Sequence, residues 1–248
     1  NVGGGVVPTS LFGPQEVMSA WGVDSFKISG DDDAGTTQRR RSAIHTLWDR
    51  EQGPLGEAMR SMFGALDDFA PARATADHRD DYPDSDLGRA LSEVARVIRG
   101  DVGVEVITVD QGDWDMHSDL GSVDSGRLHD NADDLARSLA AFFGDLGDQA
   151  GKVTLVAFSE FGRRVVENAS QGLDHGYGNV MFLAGAGVRG GRYFGTWPGL
   201  TDDDDADLLV TTDYRSVLSE VVRSRFGAST ATVFPGFSPE RVGVMTSL

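Results

Sequence analysis

The chain has 248 residues, of which 40% are hydrophobic, so it is long enough for one large α/β domain or two small ones. Its formal net charge is −17, and so acidic a surface repels nucleic acid and anionic membranes, which excludes both as expected partners. It has no cysteine, which excludes disulfides and cysteine-ligated zinc, and no apolar run approaches the roughly 20 residues of a membrane span.

The chain begins NVGGGVVP, without an initiator methionine, which is typical of a mature or truncated piece of a longer protein. We therefore expect residues 1–248 to form one α/β domain, the C-terminal part of a chain whose N-terminal portion is missing. Residues 6–11 are predicted to be a short strand or a loop, and residues 14–21 a helix. Residues 29–37 (SGDDDAGTT) are predicted to be a turn-rich acidic loop.

Three further helices are predicted in the first half of the chain. They span residues 38–50, 54–67 and 87–100. Thr36 or Thr37 is the predicted N-cap of the first, and Asp86 is that of the third, whose apolar residues recur at helical spacing. The polar, proline-containing stretch 69–86 is predicted to be a linker.

The second half alternates predicted strands with predicted helices. The strands are residues 102–109, 152–158 and 179–187, and the helices are residues 128–146 and 212–227. This alternation is typical of a doubly wound, mostly parallel sheet with helices on both faces. Because residues 153–158 are continuously apolar, we expect that strand to be buried on both faces.

Polar side chains cluster where the predicted strands end, and open α/β sheets bind ligands at the carboxyl ends of their strands. The first strand is followed by Asp110, Asp113, Asp115 and His117, and the second by Ser159, Glu160, Arg163 and Arg164. Asp174 and His175 precede the third strand instead. Their loop must reach back over the sheet for them to join the other two groups.

Carboxylates and imidazoles without sulfur suit Zn, Mn, Fe or Mg rather than copper. Asp115 and His117 are two residues apart, so on an extended segment they share a face and can touch one ion. Asp174 and His175 are adjacent and normally point apart, which gives two ions, or one ligand and one supporting residue.

Each of these residues also has a plainer interpretation. Asp115 and His117 can cap a loop, and Asp174 and His175 can shape a glycine-rich turn. Glu160 can form an internal ion pair with Arg163 or Arg164. Ser159 lacks the G-x-S-x-G elbow of a nucleophile, and the acidic run 202–207 lacks EF-hand spacing, so a solvated loop is the better interpretation of that run.

Four blocks carry a resemblance to a known family. They are GDWDMH (112–117), FSEFGRR (158–164), GLDHGYGNVMFLAGAGVRGGRYFGTWPGL (172–200) and LLVTTDYRSVLSEVV (208–222). In this order they resemble the bacterial domain-of-unknown-function family 1501, whose members show W-D-T-H, S-E-F-G-R, D-H-G and G-G-x-x-x-G-x-W-P-G-L. Residues 7–14 fit the family more weakly. Two departures are Asp113, where a glycine is usual, and Met116, where a threonine is usual.

The resemblance implies an alkaline-phosphatase-like fold and export to the periplasm or beyond by a twin-arginine signal. That superfamily implies a two-metal site at which a serine or threonine attacks a phosphate or sulfate ester. The residues carried over by resemblance are Asp115, His117, Glu160, Asp174 and His175 as metal ligands and Arg163 as a clamp for an anionic oxygen. Zn, Mn, Mg or Ca is the expected divalent ion.

The resemblance also implies that the nucleophile and one further aspartate ligand belong to the missing N-terminal portion, which would act as a companion segment. The expected function is therefore metal-dependent hydrolysis of a small anionic ester. The alternative is a non-catalytic binding or scaffold protein that keeps the fold without the chemistry.

Overall fold

A computed structural model describes residues 2, 13, 17–28, 34–201 and 206–246. The helices of these residues are α1 Ala34–Asp49, α2 Pro54–Asp68, α3 Ala70–Ala74, α4 Asp86–Arg99, α5 Arg127–Leu146 and α6 Tyr214–Phe226. The strands are β1 Thr154–Ala157, β2 Gly162–Arg163, β3 His175–Gly176 and β4 Phe182–Gly185. None of these helices combines the length and the apolar surface needed to cross a membrane.

Several predictions fall on the undescribed part of the chain. These are the strand or loop at 6–11, most of the acidic loop 29–37, most of the family match at 7–14 and most of the acidic run 202–207. The helix predicted at 14–21 falls there in part, and its described residues, 17–21, are not helical.

The chain divides into two compact units. Unit 1 is Asn1–Gln111 with Asp134–Gly147, and unit 2 is Gly112–Asp133 with Asp148–Leu248. In unit 1, Ala20, Phe26, Phe63 and Leu66 form the centre of an apolar cluster. In unit 2, Val217, Val244 and Met245 form the centre of an apolar cluster. That residues 1–248 form one domain stays a prediction.

Helix α4 forms much as its sequence predicts. Leu87, Leu91 and Ala95 recur at helical spacing and are buried. The helix begins one residue earlier than expected, because the hydroxyl of Ser85 rather than Asp86 accepts the N–H of Gly88, at 3.0 Å.

The predicted linker 69–86 is partly ordered as helix. It contains α3 and a 3-10 turn at Arg79–Asp81. Pro71 lies in the first turn of α3, where its missing N–H costs nothing, and Ala72 is fully buried. A polar stretch with prolines therefore forms a helix because its start tolerates proline and one small residue packs inside.

The doubly wound, mostly parallel sheet is not formed by the described residues. They contain helices and strands, which is consistent with an α/β class, but the sheets are two antiparallel pairs, β1 with β4 and β2 with β3. A parallel pair needs a crossover connection, usually a helix. The chain between β1 and β4 contains only the β2–β3 pair, so it returns antiparallel.

The strand predicted at 152–158 forms as β1, but its predicted burial on both faces is wrong, because the described residues contain too few strands to cover it. Residues 153–157 are half-buried rather than buried on both faces, and Phe158 is exposed. Residues 102–109 form no strand. Their β-branched side chains favour extended backbone, but a strand also requires a neighbour to pair with.

The C-terminal segment of unit 2 is attached to α6 by one buried carboxylate. Oε1 of Glu220 accepts the N–H groups of Val242 and Gly243, both at 2.7 Å, and Oε2 accepts that of Val244 at 2.7 Å. Helix α6 itself is capped by Asp213, and it ends at Gly227, whose φ of +61° is the left-handed conformation of a helix C-cap.

In unit 1, the buried guanidinium of Arg96 on α4 forms a two-pronged ion pair with Asp24. The Nη1–Oδ2 and Nη2–Oδ1 distances are 3.0 and 2.8 Å. The hydrogen bonds from Arg96 hold the pKa of Asp24 below its ordinary value of 3.8. The pair joins α4 to the short helical turn Val23–Ser25.

We expect Asp24→Asn to lower the free energy of unfolding by about 1–2 kcal/mol at neutral pH, because Arg96 stays buried while its exposed partner loses its charge. The folded pKa of Asp24 is the lower one, so the pair stabilises fully above about pH 3.8 and loses its effect as the pH falls through the folded value. Urea denaturation between pH 7 and 3 measures this. The matched variant Asp84→Asn, at a 99% exposed carboxylate, should change little, and an equal loss in both would contradict the assignment.

We expect Glu220→Gln to lower the free energy of unfolding by about 2–4 kcal/mol, because the amide group presents N–H to a backbone N–H that needs an acceptor. Urea denaturation at pH 7 measures it. Glu240→Gln, at an exposed position, is the control and should stay within about 0.5 kcal/mol. A Glu220→Gln protein as stable as this control would show that the carboxylate does not hold the C-terminal segment.

Candidate metal centre

Three side chains of unit 2 bring their ligand atoms together. Asp115, His117 and His175 each offer one atom, and these atoms lie within 4.8 Å of one another. Oδ1 of Asp115 lies 3.0 Å from Nε2 of His117 and 2.7 Å from Nε2 of His175. The convergence expected for these residues is therefore present, with Asp115 at its centre.

The local backbone sets the orientation of Asp115 and His117. Met116 between them is 1% exposed, so the residues on either side point outward together, as their spacing predicts. Asp113 has a φ of +65°. That left-handed conformation costs glycine nothing and is tolerated by aspartate, which explains why glycine is usual at this position in the family that the sequence resembles.

The pairing of β2 with β3 brings His175 to the cluster. In this register Arg163 lies opposite His175. The ring of His175 stacks on that of Phe161, with centroids 4.4 Å apart and planes 10° apart. The loop that had to reach back over a sheet thus reaches the cluster through a two-residue antiparallel pair instead.

Asp174 contacts the ring of His117 at Nδ1, the nitrogen that does not face Asp115. Its Oδ1 accepts from Nδ1 of His117 at 2.9 Å. A carboxylate on the second nitrogen of a metal-binding histidine fixes the ring orientation and the tautomer. The adjacent residues Asp174 and His175 can bind two ions, or act as one ligand and one supporting residue. The geometry matches the second arrangement, with His175 as a potential ligand and Asp174 as the supporting residue.

Asn168 holds this arrangement and is a residue that the sequence analysis missed. Its Nδ2 donates to Oδ1 of Asp174 at 2.9 Å and to the carbonyl of His117 at 3.0 Å. Its Oδ1 accepts the N–H groups of Ser170 and Gly172. No pattern in the sequence marks a residue whose role depends on four partners that the fold assembles.

Gly172 lets the two segments approach. A Cβ at this position would lie 2.1 Å from the carbonyl carbon of His117, which no side chain tolerates. The glycines of the GLDHGYG block therefore have a steric reason as well as a turn-forming one. Gly176 is similarly crowded, with Arg163 backbone 2.7 Å from its hypothetical Cβ.

Arg163 is largely occupied by the backbone. Its guanidinium donates to the carbonyls of Leu173 and Trp114, the latter at 2.6 Å, and approaches Oδ1 of Asp115 at 3.3 Å. It also lies over the ring of Phe161. Arg163 thus crosslinks the segments that carry Asp115 and Asp174, and its remaining N–H groups are what it can offer to an anion.

The carboxylates of Asp115 and Asp174, which flank the ring of His117, are both held in the charged form. The hydrogen bond from His175 lowers the pKa of Asp115, and nearby Arg163 contributes in the same direction. The hydrogen bonds from His117 and then Asn168 lower the pKa of Asp174. Charged carboxylates are the form that a cation requires.

The donor chemistry of His117 fits a metal ion. The ring has a carboxylate oxygen at each nitrogen, Asp174 at Nδ1 and Asp115 at Nε2. A neutral imidazole has one N–H, so it satisfies only one of two acceptors. Both carboxylates are satisfied when the ring carries a second proton, or when a cation lies between Nε2 and Asp115. Ligand atoms about 2.0–2.2 Å from one tetrahedral Zn ion lie about 3.3–3.6 Å apart. The atoms of this cluster lie within 4.8 Å of one another, so the most distant pair must approach by up to about 1.5 Å for all three to bind one ion.

The other predicted site residues lie apart from the cluster or have other partners. Glu160 is exposed and is not one of the clustered residues. The hydroxyl of Ser159 donates to the carbonyl of Phe161, which matches the plainer interpretation of a strand-end hydroxyl. No serine or threonine hydroxyl hydrogen-bonds to Asp115, His117 or His175 within the described part of the chain.

A family model described as "Protein of unknown function (DUF1501)" matches residues 71–220, which is more than half of the chain and contains the whole cluster. No curated protein matches the chain, and no solved structure matches it.

We expect Asn168→Asp to lower the free energy of unfolding by about 1–3 kcal/mol, because an oxygen then faces Asp174 and the His117 carbonyl in place of an N–H donor. The ring resonances of His117 in an NMR spectrum should shift as its Asp174 contact loosens. Glu167→Gln, at the exposed neighbouring position, should leave both measurements unchanged. Unaltered His117 resonances in Asn168→Asp would contradict the role given to Asn168.

Proposed function

The chain belongs to the DUF1501 family, and from that premise and the geometry of the cluster we propose that it is a metal-dependent hydrolase of phosphate or sulfate esters. The observation that carries the proposal is the convergence of one carboxylate oxygen and two imidazole nitrogens within 4.8 Å. Two histidines with one carboxylate, leaving positions open for water or substrate, is a ligand set of catalytic zinc sites.

The donor set narrows the choice of ion. Mg and Ca prefer oxygen ligands, whereas two of the three donors here are imidazole nitrogens. We therefore place Zn first and Mn second among the expected ions. When bound, the ion supplies Lewis-acid polarisation of an ester oxygen.

The protein's own residues hold the ion and orient the substrate. Asp115, His117 and His175 bind the ion, and Asp174 keeps Nε2 of His117 directed at Asp115. Arg163 fixes the Asp115 segment and directs its remaining N–H groups to an anionic oxygen of the substrate. Glu160 is kept as a ligand for a second ion only by the family resemblance.

Three parts of the proposal rest on that resemblance alone. They are the alkaline-phosphatase-like superfamily, export by a twin-arginine signal, and a companion segment that supplies the nucleophilic hydroxyl. In this proposal the companion segment supplies a hydroxyl, since none of the described hydroxyls bonds to the cluster.

A second candidate is a non-catalytic cation-binding or scaffold protein. The exposure of the cluster favours it, since the side chains of Asp115, His117 and His175 are 58%, 46% and 49% exposed. Catalytic electrostatics are strongest where water is excluded, and these side chains are open to water.

We expect the purified chain to bind one Zn²⁺ ion, and His117→Ala and His175→Ala each to weaken binding by at least about a hundredfold through loss of one of three ligands. Isothermal titration calorimetry measures the stoichiometry and the dissociation constant. His129→Ala removes a histidine that contacts Asp130 outside the cluster, and it should bind as the unaltered chain does.

Hydrolysis of p-nitrophenyl phosphate and p-nitrophenyl sulfate separates the two candidates. Metal-dependent turnover that His175→Ala removes and His129→Ala keeps supports the hydrolase. Stoichiometric zinc without turnover by the full-length protein supports the binding protein. Equal zinc affinity in all the variants would refute a centre at this cluster.

A further inference from the structure

Residues 104–109 (VEVITV) form an exposed apolar segment in unit 1 whose backbone pairs with none of the residues that the structure describes. Val104, Val106, Ile107 and Val109 are 44%, 71%, 39% and 37% exposed. No backbone N–H or carbonyl of residues 103–110 hydrogen-bonds to any described residue. Eight consecutive residues therefore offer both apolar side chains and bare backbone groups.

The apolar side chains and free backbone groups of residues 104–109 indicate that the partner has an extended backbone. Apolar side chains are stabilised by leaving water, at about 25 cal/mol per Å² buried. Valine, isoleucine and threonine favour the pleated, extended conformation. A row of free N–H and carbonyl groups is satisfied by another extended backbone, whereas a helix or a lipid surface offers no such ladder.

The charges around the segment select against a second copy of the same chain. Asp101, Glu105, Asp110 and Asp113 lie in or beside it, and no lysine or arginine occurs from residue 100 to residue 126. Antiparallel pairing of two copies brings Asp101 of one toward Asp110 of the other, and parallel pairing places identical acids side by side. Like charges across strands are destabilising, and each copy carries a net charge of −17.

We propose that residues 104–109 are a docking site for an extended segment of a different polypeptide, with alternating apolar side chains between basic ends. The partner strand pairs with the free backbone of 104–109 and buries Val104, Val106, Ile107 and Val109. Its lysine or arginine residues lie beside Asp101 and Asp110.

The probe is the acetylated and amidated peptide Lys-Val-Thr-Val-Ile-Val-Lys, tested on the unaltered chain. Hydrogen–deuterium exchange should show at least about tenfold slower exchange of the 104–109 amides at saturating peptide. Fluorescence anisotropy of the labelled peptide measures the dissociation constant. A peptide with glutamate at both ends should bind at least tenfold more weakly at low salt.

Ile107→Pro tests the backbone ladder, since it removes an N–H that donates to none of the described residues and so should leave the melting temperature unchanged. It should weaken binding at least tenfold. Val123→Pro, in the exposed turn between Ser122 and Ser125, is the matched control and should bind as the unaltered chain does.

Three results would overturn the proposal. One is the absence of slower exchange at 104–109 with the basic peptide. Another is equal binding of the basic and acidic peptides. The third is slow exchange of these amides without peptide, rising with protein concentration together with dimer in sedimentation, because the partner would then be a second copy.

Discussion

A single carboxylate oxygen organises the candidate metal centre. Oδ1 of Asp115 lies near Nε2 of His117, Nε2 of His175 and the guanidinium of Arg163 at the same time. The two imidazole rings are only 4.8 Å apart between centroids, and a shared negative charge is what allows two rings that can become cationic to approach so closely. The contacts around the cluster, from the Asp174 carboxylate to the β2–β3 pair, hold these rings to that oxygen.

The small contribution of the Asp115 contacts to folding stability does not explain why so many residues support them. An exposed ion pair typically contributes about 0–1 kcal/mol, and the Asp115 side chain is 58% exposed. Yet the chain keeps Gly172 against the His117 backbone, a left-handed Asp113, and Asn168 with four hydrogen-bond partners to maintain it. The carboxylate of Glu220 differs from that of Asp115, because it is buried and its hydrogen bonds attach the C-terminal segment to α6.

The sequence predicts the parts of this protein that local rules decide. Apolar spacing and caps locate α4 and α6 to within two residues, and the two-residue spacing of Asp115 and His117 correctly puts both on one face. The predictions that fail are those that depend on contacts between residues far apart in the sequence. Residues 102–109 have strand composition but pair with none of the described residues, and alternation alone predicts a parallel sheet although no helix connects β1 to β4. Asn168 has no local signature because its function is to join segments that only the fold brings together.

Whether the cluster catalyses or only binds turns on two features of its surroundings. The described residues place no hydroxyl nucleophile against the three ligands, and they leave those ligands open to water. Attack by a serine or threonine needs that hydroxyl beside the ion, and fixed charges act more strongly where bulk water is excluded. One companion segment covering this side of unit 2 would supply both, and cation binding alone needs neither. The hydrolase proposal therefore depends on a covering segment, whereas the metal-binding proposal depends on Asp115, His117 and His175 alone.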